Sequence, residues 1–463
     1  MGYKTTLCDV SLDGGHYGIA APAVDFKPGL PAYLRITDIN DDGTLNPSDR
    51  KSVDDSSAGN YLLHEGDIVF ARTGNSTGRN YYYDPRDGEY AYAGFLIKFS
   101  LDPRKINPRY MKYYAQSKQY WDWVSSFNTG STRGNINAKT YASMPIDLLS
   151  RQIQDGIVAI CDAIDDKIRI NRQLNDYLAD FASTVFQNQA SHIEERIALF
   201  DIADIKYGKG LAKNELVEDG YPVFGGNGQI GFYSKYLYEE PQILISCRGA
   251  ASGKVLVSLP KSFITSNSLI IELKDRRYYE YLKQYFMLHQ LYDYATGSAQ
   301  PQITIDGLRH LTVPYPPFDL IKTLTNQLKA ISDCIYSNDI ENQALSRLRD
   351  TLLPKLMSGE IDVSKVDLTQ LTNNHLLVLG HNVPNRYWKG RLWKPSLIMF
   401  CRRCRTCLIR HSSNIWLKYS ESRCCQLRKH QRRRICWRCF SRQKRSKAAR
   451  RKPSLTMKAR FST

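Results

Sequence analysis

Two glycine-rich strings are the places where this chain could perform chemistry. Phe224–Gly228 (FGGNG) has the F-x-G-x-G spacing with which DNA methyltransferases hold S-adenosylmethionine. An enzyme of that kind also needs Asp or Asn before Pro-Pro-aromatic, to hold the amino group of a flipped base. The nearest string is Tyr315-Pro316-Pro317-Phe318, whose first residue cannot accept that hydrogen bond. Gly249–Val255 (GAASGKV) looks like a phosphate loop, but it has three residues between its glycines where four are needed. Val255 follows Lys254 where Ser or Thr would ligate magnesium. No HExxH string, Ser/His/Asp signature or carboxylate pair stands out, and the histidines of the body are isolated. No catalytic residue, metal ligand or cofactor is assigned.

What remains is loop chemistry. Polar Gly/Ser/Thr/Asn loops, each with one or two cations, supply Arg72, Thr73, Asn75 and Arg79, then Ser131 and Arg133. A second set supplies Lys209, Asn227, Arg248, Ser252, Lys254, Ser298, Gln300 and Gln302. Tyr81, Tyr82, Tyr83, Tyr233, Tyr236 and Tyr238 lie near them in sequence. Arginine can bond guanine O6 and N7 together, Asn or Gln can bond adenine N6 and N7, and hydroxyls and amides can hold phosphates. These residues form the expected DNA-binding set, weighed against ordinary solvated loops.

The elements that must position these loops repeat. Ile153, Ile157, Ile160, Ile164, Leu174, Leu178, Phe181 and Val185 recur at three- and four-residue steps, one apolar seam along a helix. The seam returns 171 residues later as Leu324, Leu328, Ile331, Ile335, Leu345 and Leu352, and Asn171 returns as Asn342. A two-position seam needs a partner, and the chain supplies one of matched pattern. Ile157, Ile160, Ile164, Asn171, Leu174 and Leu178 are expected to pair with Leu328, Ile331, Ile335, Asn342, Leu345 and Leu352 in an antiparallel coiled coil. The blocks around the helices repeat too. Tyr33–Asn40, Gly66–Gly74 and Tyr90–Phe99 read as strands and Pro108–Ser126 as one helix. Ile243–Val257, Phe263–Leu273 and Tyr278–Leu291 follow the same order, with Arg72-Thr73-Gly74 set against Arg248-Gly249 and Thr129-Gly130-Ser131 against Thr296-Gly297-Ser298.

The expected fold is α+β, with two mixed α/β domains separated by two long antiparallel helices in a pseudo-two-fold tandem repeat. Residues 1–149 form the first domain, 150–190 the first helix, 191–319 the second domain, 320–358 the second helix, and 359–463 a tail. The net charge of +18 is uneven. Residues 369–463 carry 25 Lys and Arg against one acid, Glu421, whereas the rest carries 39 against 45. The absence of a basic-then-apolar leader and of an 18-residue apolar run leads to a cytoplasmic expectation.

At this point the strings resemble a known family. Tyr221–Val255 resembles the second target-recognition domain of type I restriction-modification specificity subunits. Leu348–Val363 resembles the end of their distal conserved helix, and Tyr33–Asn40 resembles part of their first recognition domain. The resemblance covers about residues 5 to 366. It implies a non-catalytic subunit that reads a bipartite DNA site, with helices that set the spacer. It also implies two methyltransferase subunits and translocating endonuclease subunits as partners, whose charges would offset the acidic body. The alternatives are a self-contained adenine DNA methyltransferase and a coiled-coil scaffold without DNA specificity. The tail departs from the family: CRRCRTC (Cys401–Cys407), Cys424-Cys425 and CWRC (Cys436–Cys439) fit no common zinc-finger spacing. A frameshifted or read-through terminus accounts for its composition, and a basic nucleic-acid arm and a zinc module are the other two readings.

Overall fold

The computed structural model describes residues 3–46, 49–127, 134–190, 192–297 and 300–366. The Cys-rich tail, Ser131, Arg133, Ser298 and the Thr129-Gly130-Ser131 string therefore lie outside the described residues. Two 40-residue helices dominate the described chain: a proximal helix, Arg151–Ala190, and a distal helix, Phe318–Met357. At 1.5 Å per residue each is about 60 Å long.

The helices run antiparallel, because contacts climb one as they descend the other. Asp165 meets Arg349, Asn171 meets Asn342, Asn175 meets Asn338, and Gln189 meets Gln327. Asn171 donates to the Asn342 amide oxygen at 3.0 Å and to Glu341 at 2.7 Å, and Lys167 bonds both Asn171 and Glu341. This polar layer is satisfied within itself, which a buried amide pair requires. Ile157, Ile160, Ile164, Leu328 and Leu345 are buried, whereas Leu174, Leu178, Ile331, Ile335 and Leu352 are half-buried.

The expected seam fails towards the end of the proximal helix. Phe181 is 51% exposed, and Ala182 and Phe186 are buried instead. An α-helix drifts by about 20° per heptad against a 3.5-residue repeat, so a seam started at Ile157 has rotated by the last turns. There it packs into the second domain beside Tyr281 and Leu282.

Each domain is built on a four-stranded antiparallel sheet of the same order. In the first the order is His16–Tyr17, Leu96–Ser100, Asp67–Ala71 and Asn80–Tyr82; in the second it is Ala203–Tyr207, Ser268–Leu273, Ile243–Ser246 and Val255–Val257. A second sheet accompanies each, four-stranded in the first domain and three-stranded in the second, and both contain one parallel pair: Ala32–Leu34 with Tyr90–Tyr92, and Tyr221–Gly225 with Phe263–Ile264. Two expected elements divide. Tyr90–Phe99 becomes two strands in different sheets, Tyr90–Tyr92 and Leu96–Ser100, which part at Ala93-Gly94. Pro108–Ser126 becomes two helices, Pro108–Tyr114 and Lys118–Ser125, because the Ser117 hydroxyl accepts the Tyr120 amide and caps a new start. Tyr33–Asn40 is strand only to Leu34, since the Arg35 amide turns onto the Asp38 carboxylate at 2.8 Å.

The domains dock on the helices through different chemistry. At the first junction Arg86 meets Asp166 at 3.0 Å, Arg109 meets Asp162 at 2.6 Å, and Asp165 lies between Lys112 at 2.5 Å and Arg349 at 2.9 Å. Burial pushes the Asp165 carboxyl up, but Lys112 and Arg349 outweigh it and hold it below its ordinary value. Burial likewise opposes the charge on Arg349, and Asp165 and Asp350 outweigh it. At the second junction Phe186 packs against Tyr281 at 5.2 Å between ring centroids, and Gln284 donates to Ser183 at 3.1 Å.

Candidate nucleic-acid interface

Hydrogen bonding overlays the two domains residue by residue. In the first, the Ala71 amide donates to the Arg79 carbonyl at 2.7 Å, and the Gly78 amide donates to Ala71 at 3.0 Å. In the second, Ser246 donates to Lys254 at 2.8 Å and Gly253 to Ser246 at 2.9 Å. Ala71 thus matches Ser246, and Arg79 matches Lys254. Next along the chain, the Arg72 carbonyl accepts the Ile136 amide at 2.9 Å, and the Cys247 carbonyl accepts Ile303 at 3.1 Å. Arg72 therefore corresponds to Cys247, not to Arg248, whose counterpart is Thr73. Thr73 bridges Asn135 as Arg248 bridges Gln302. The expected pairing of Arg72 with Arg248 is one residue out of register, and one residue reverses the face an extended chain presents.

The expected residues divide by what they already hold. Arg72 is half-buried, and its guanidinium lies 5.2 Å from the Tyr17 ring centroid and 5.8 Å from that of Phe95. Its Nε is buried with no acceptor, an unmet donor costing about 1–3 kcal/mol. Arg248 is exposed, and neither arginine has a carboxylate partner among the described residues. Arg79 instead pairs with Asp41 at 2.7 Å and also reaches the Ile39 carbonyl. Lys254 donates to the Asn227 side-chain oxygen at 2.9 Å. Asn75, Lys209, Gln300 and Gln302 are exposed, and Gln302 also bridges Thr296.

Ser252 does not belong on this surface. It is buried, and its hydroxyl donates to the Pro301 carbonyl at 2.7 Å, as Thr77 donates to Gly134 at 2.9 Å in the first domain. Both hydroxyls close their loops from inside. Tyr81, Tyr82 and Tyr83 are buried as well, with Tyr81 bonded to Asp87 and Tyr83 to the Gly88 carbonyl. Burial pushes the Tyr82 phenol up to about 12. These rings are core and not the stacking surface that their density suggested.

The aromatic residues that do face the edge were not singled out from the sequence. Tyr17 and Phe95 are 43% and 55% exposed, and the Tyr17 hydroxyl accepts the Ala138 amide at 3.1 Å. Tyr207, the counterpart of Tyr17, is also exposed. A usable signal was the dipeptide Tyr-Gly, present as Tyr17-Gly18 and Tyr207-Gly208. A Cβ at Gly18 would stand 2.2 Å from the Tyr92 carbonyl oxygen, and one at Gly208 2.2 Å from that of Thr265. Only glycine lets the two backbones cross so closely.

The two glycine strings of the second domain serve this same edge. Gly225–Gly228 turns between two antiparallel strands, Tyr221–Gly225 and Gly228–Tyr233, and Gly249–Lys254 turns between Ile243–Ser246 and Val255–Val257. Neither opens a helix, so neither has the N-terminal amides with which a phosphate or a charged cofactor is held. Among the described residues no group of three or more His, Cys, Asp or Glu is placed to hold a metal, and no helix is long and apolar enough to cross a membrane.

The family model for the type I restriction modification DNA specificity domain matches residues 33–179 and again 195–348. The chain belongs to that family. Each match takes in most of one specificity domain and most of the long helix after it, so the repeated unit is domain plus helix. Among curated relatives, the specificity subunit of the type I restriction enzyme MjaIX of Methanocaldococcus jannaschii is 22% identical over 301 residues, 56% of this chain and 70% of that one. The HindI specificity subunit of Haemophilus influenzae is 29% identical over 147 residues, 31% of each chain. A solved S subunit of a type I restriction-modification system from M. genitalium matches with a TM-score of 0.46 and 19% identity, covering 77% of this chain and 96% of that one.

Proposed function

We propose that this chain is the sequence-reading, non-catalytic subunit of a type I restriction-modification enzyme. Each specificity domain, spanning residues 1–149 and 191–319, reads one half of a bipartite duplex site. The helices hold the halves apart and dock the methyltransferase and endonuclease subunits that carry out chemistry. One observation carries the reading: two equivalent strand-to-turn edges, each with an arginine that has no carboxylate partner among the described residues, are joined by one helix pair locked at the Asn171–Asn342 layer. The candidate contacts are Arg72, Thr73 and Asn75 in the first domain and Lys209, Asn227, Arg248, Lys254, Gln300 and Gln302 in the second. A self-contained methyltransferase is disfavoured by the hairpin position of Gly225–Gly228 and by Tyr315 ahead of the prolines.

The test treats the helices as a ruler. Four residues added to each, after Gln173 and after Ala344, lengthen the pair by about 6 Å. The preferred spacer should grow by one or two base pairs while both half-sites stay the same, read by selection from duplexes of varied spacer length with the assembled complex. An unchanged spacer in a folded, partner-bound protein would exclude the ruler.

A further inference from the structure

We infer that the first specificity domain reads a guanine through Arg72, held as a fixed plane between Tyr17 and Phe95, and that the second domain has no equivalent reader at this position. The inference rests on the half-site reading above. Arg72 differs from its neighbours in what it lacks. Arg35 pairs with Asp38 and Asp49, Arg79 with Asp41, Arg86 with Asp84 and Asp166, Arg104 with Asp102, and Arg109 with Asp162. Arg50 lies over Phe26 and Tyr90. Arg72 alone among these lies over two exposed rings at the candidate edge, with no carboxylate among the described residues.

The clamp suits a base more than a phosphate. A guanidinium can also grip a phosphate with two nitrogens, but a phosphate offers oxygen pairs in several orientations, so a fixed plane gains less there. Guanine O6 and N7 need two parallel donors in the plane of the base pair, and a pre-oriented guanidinium loses little freedom in meeting them. Its anchors are themselves tied down. The Arg72 amide donates to the Phe95 carbonyl at 3.1 Å, and the Tyr17 hydroxyl is held by the Ala138 amide. The buried Nε shows that the stem side of the guanidinium is enclosed, while Arg72 as a whole is only half-buried.

The second domain repeats the backbone without the clamp. Cys247 stands at the position of Arg72, buried, with its thiol on the Ser266 carbonyl. Its amide donates to Asn267, which therefore occupies the place of Phe95. The unpaired arginine follows one residue later, at Arg248, on the other face of the strand. Two domains of one ancestry thus present arginine from different rungs.

The test uses the complete complex with its methyltransferase subunits and two duplex libraries, each randomising one half-site. The variants are Arg72→Lys and the double change Tyr17→Leu/Phe95→Leu, which keeps the arginine and releases its plane. Both should reduce discrimination at a single guanine of one half-site by roughly 5- to 150-fold. The preference at the other half should stay unchanged, which also shows that the complex is folded and assembled. Unchanged discrimination in Arg72→Lys, or weakening that is equal on every sequence, overturns the guanine reading and leaves half-site reading intact. Altered preference at both halves together overturns the half-site reading itself.

Discussion

The two domain–helix junctions have the same architecture, but ion pairs cross only the first among the described residues. The first is an ionic network in which Arg109, Lys112 and Arg349 enclose Asp162 and Asp165. In the second, Phe186 packs against Tyr281 and Gln284 bonds Ser183, and the Glu280–Lys283 pair, both on the domain's own helix, meets the distal helix only through the neutral Ser332 hydroxyl. The repeat offset of 171 residues shows how the difference arose. Arg109 becomes Glu280, Asp165 becomes Tyr336, and Arg349 corresponds to Leu178. Burying matched charges and burying rings both seat a domain on a helix, but the two respond to different conditions. Each junction can therefore be attacked without the other.

The largest effect is expected from Phe186→Ala, which empties a buried aromatic site at a cost of about 3–5 kcal/mol. Thermal unfolding should show the loss, and raising salt should neither deepen nor relieve it. Asp165→Asn comes next, at about 3 kcal/mol, because it leaves Lys112 and Arg349 facing a neutral amide. The sign with pH is defined: a carboxyl held below its ordinary value of about 3.9 stabilises fully above that value. That share is lost as pH falls through the lower folded value, so the wild type should show an acid limb below about pH 4. Acid titration of Asp165→Asn should show that limb reduced, while Phe186→Ala keeps it. If both variants gave the same acid and salt profiles, the contrast between the junctions would fail. The smallest effect is Asn342→Leu, about 1 kcal/mol, since it takes one acceptor from Asn171 and leaves Glu341 and Lys167 beside it. Denaturant unfolding of Asn342→Leu alone, then with Asn171→Leu, should show the double change recovering most of the loss.

Much of this architecture was legible because it depends on periodicity. A seam at three- and four-residue steps that returns with its asparagine 171 residues later is the pattern two paired helices require, and the Asn171–Asn342 contact follows from it. Recognition edges were less legible, for a physical reason. Residues align there by backbone hydrogen bonding, which the letters do not display, so Arg-Thr-Gly was set against Arg-Gly when Cys247-Arg248-Gly249 was its true match. Ser252 looked like a phosphate-binding hydroxyl because burial cannot be read from a polar loop. Nothing local signals that Tyr17 and Phe95 meet, because the fold brings them to Arg72 from a strand and from the turn before Leu96–Ser100. The tyrosine run at Tyr81–Tyr83 is denser, but it lies along and just past an edge strand whose two faces are both covered, with Tyr82 in one core and Tyr81 and Tyr83 in another.

One contact turns the body into a closed circuit. Val363 lies against Gly156, where an added Cβ would come within 3.0 Å of it, and Ile361 and Val366 join the same core as Leu7. The chain thus leaves the first domain by the proximal helix, turns through the second, returns by the distal helix and ends its described course against the start of the proximal helix, in the core of the first domain. Domain, helix, domain and helix form a loop with no privileged break. A cyclically reordered chain, opened between Ala190 and Arg196 and joined from Val366 to Tyr3 by a linker, should keep the helix pair and both junctions. Which domain comes first along the chain then matters less than the order of the two around the ring.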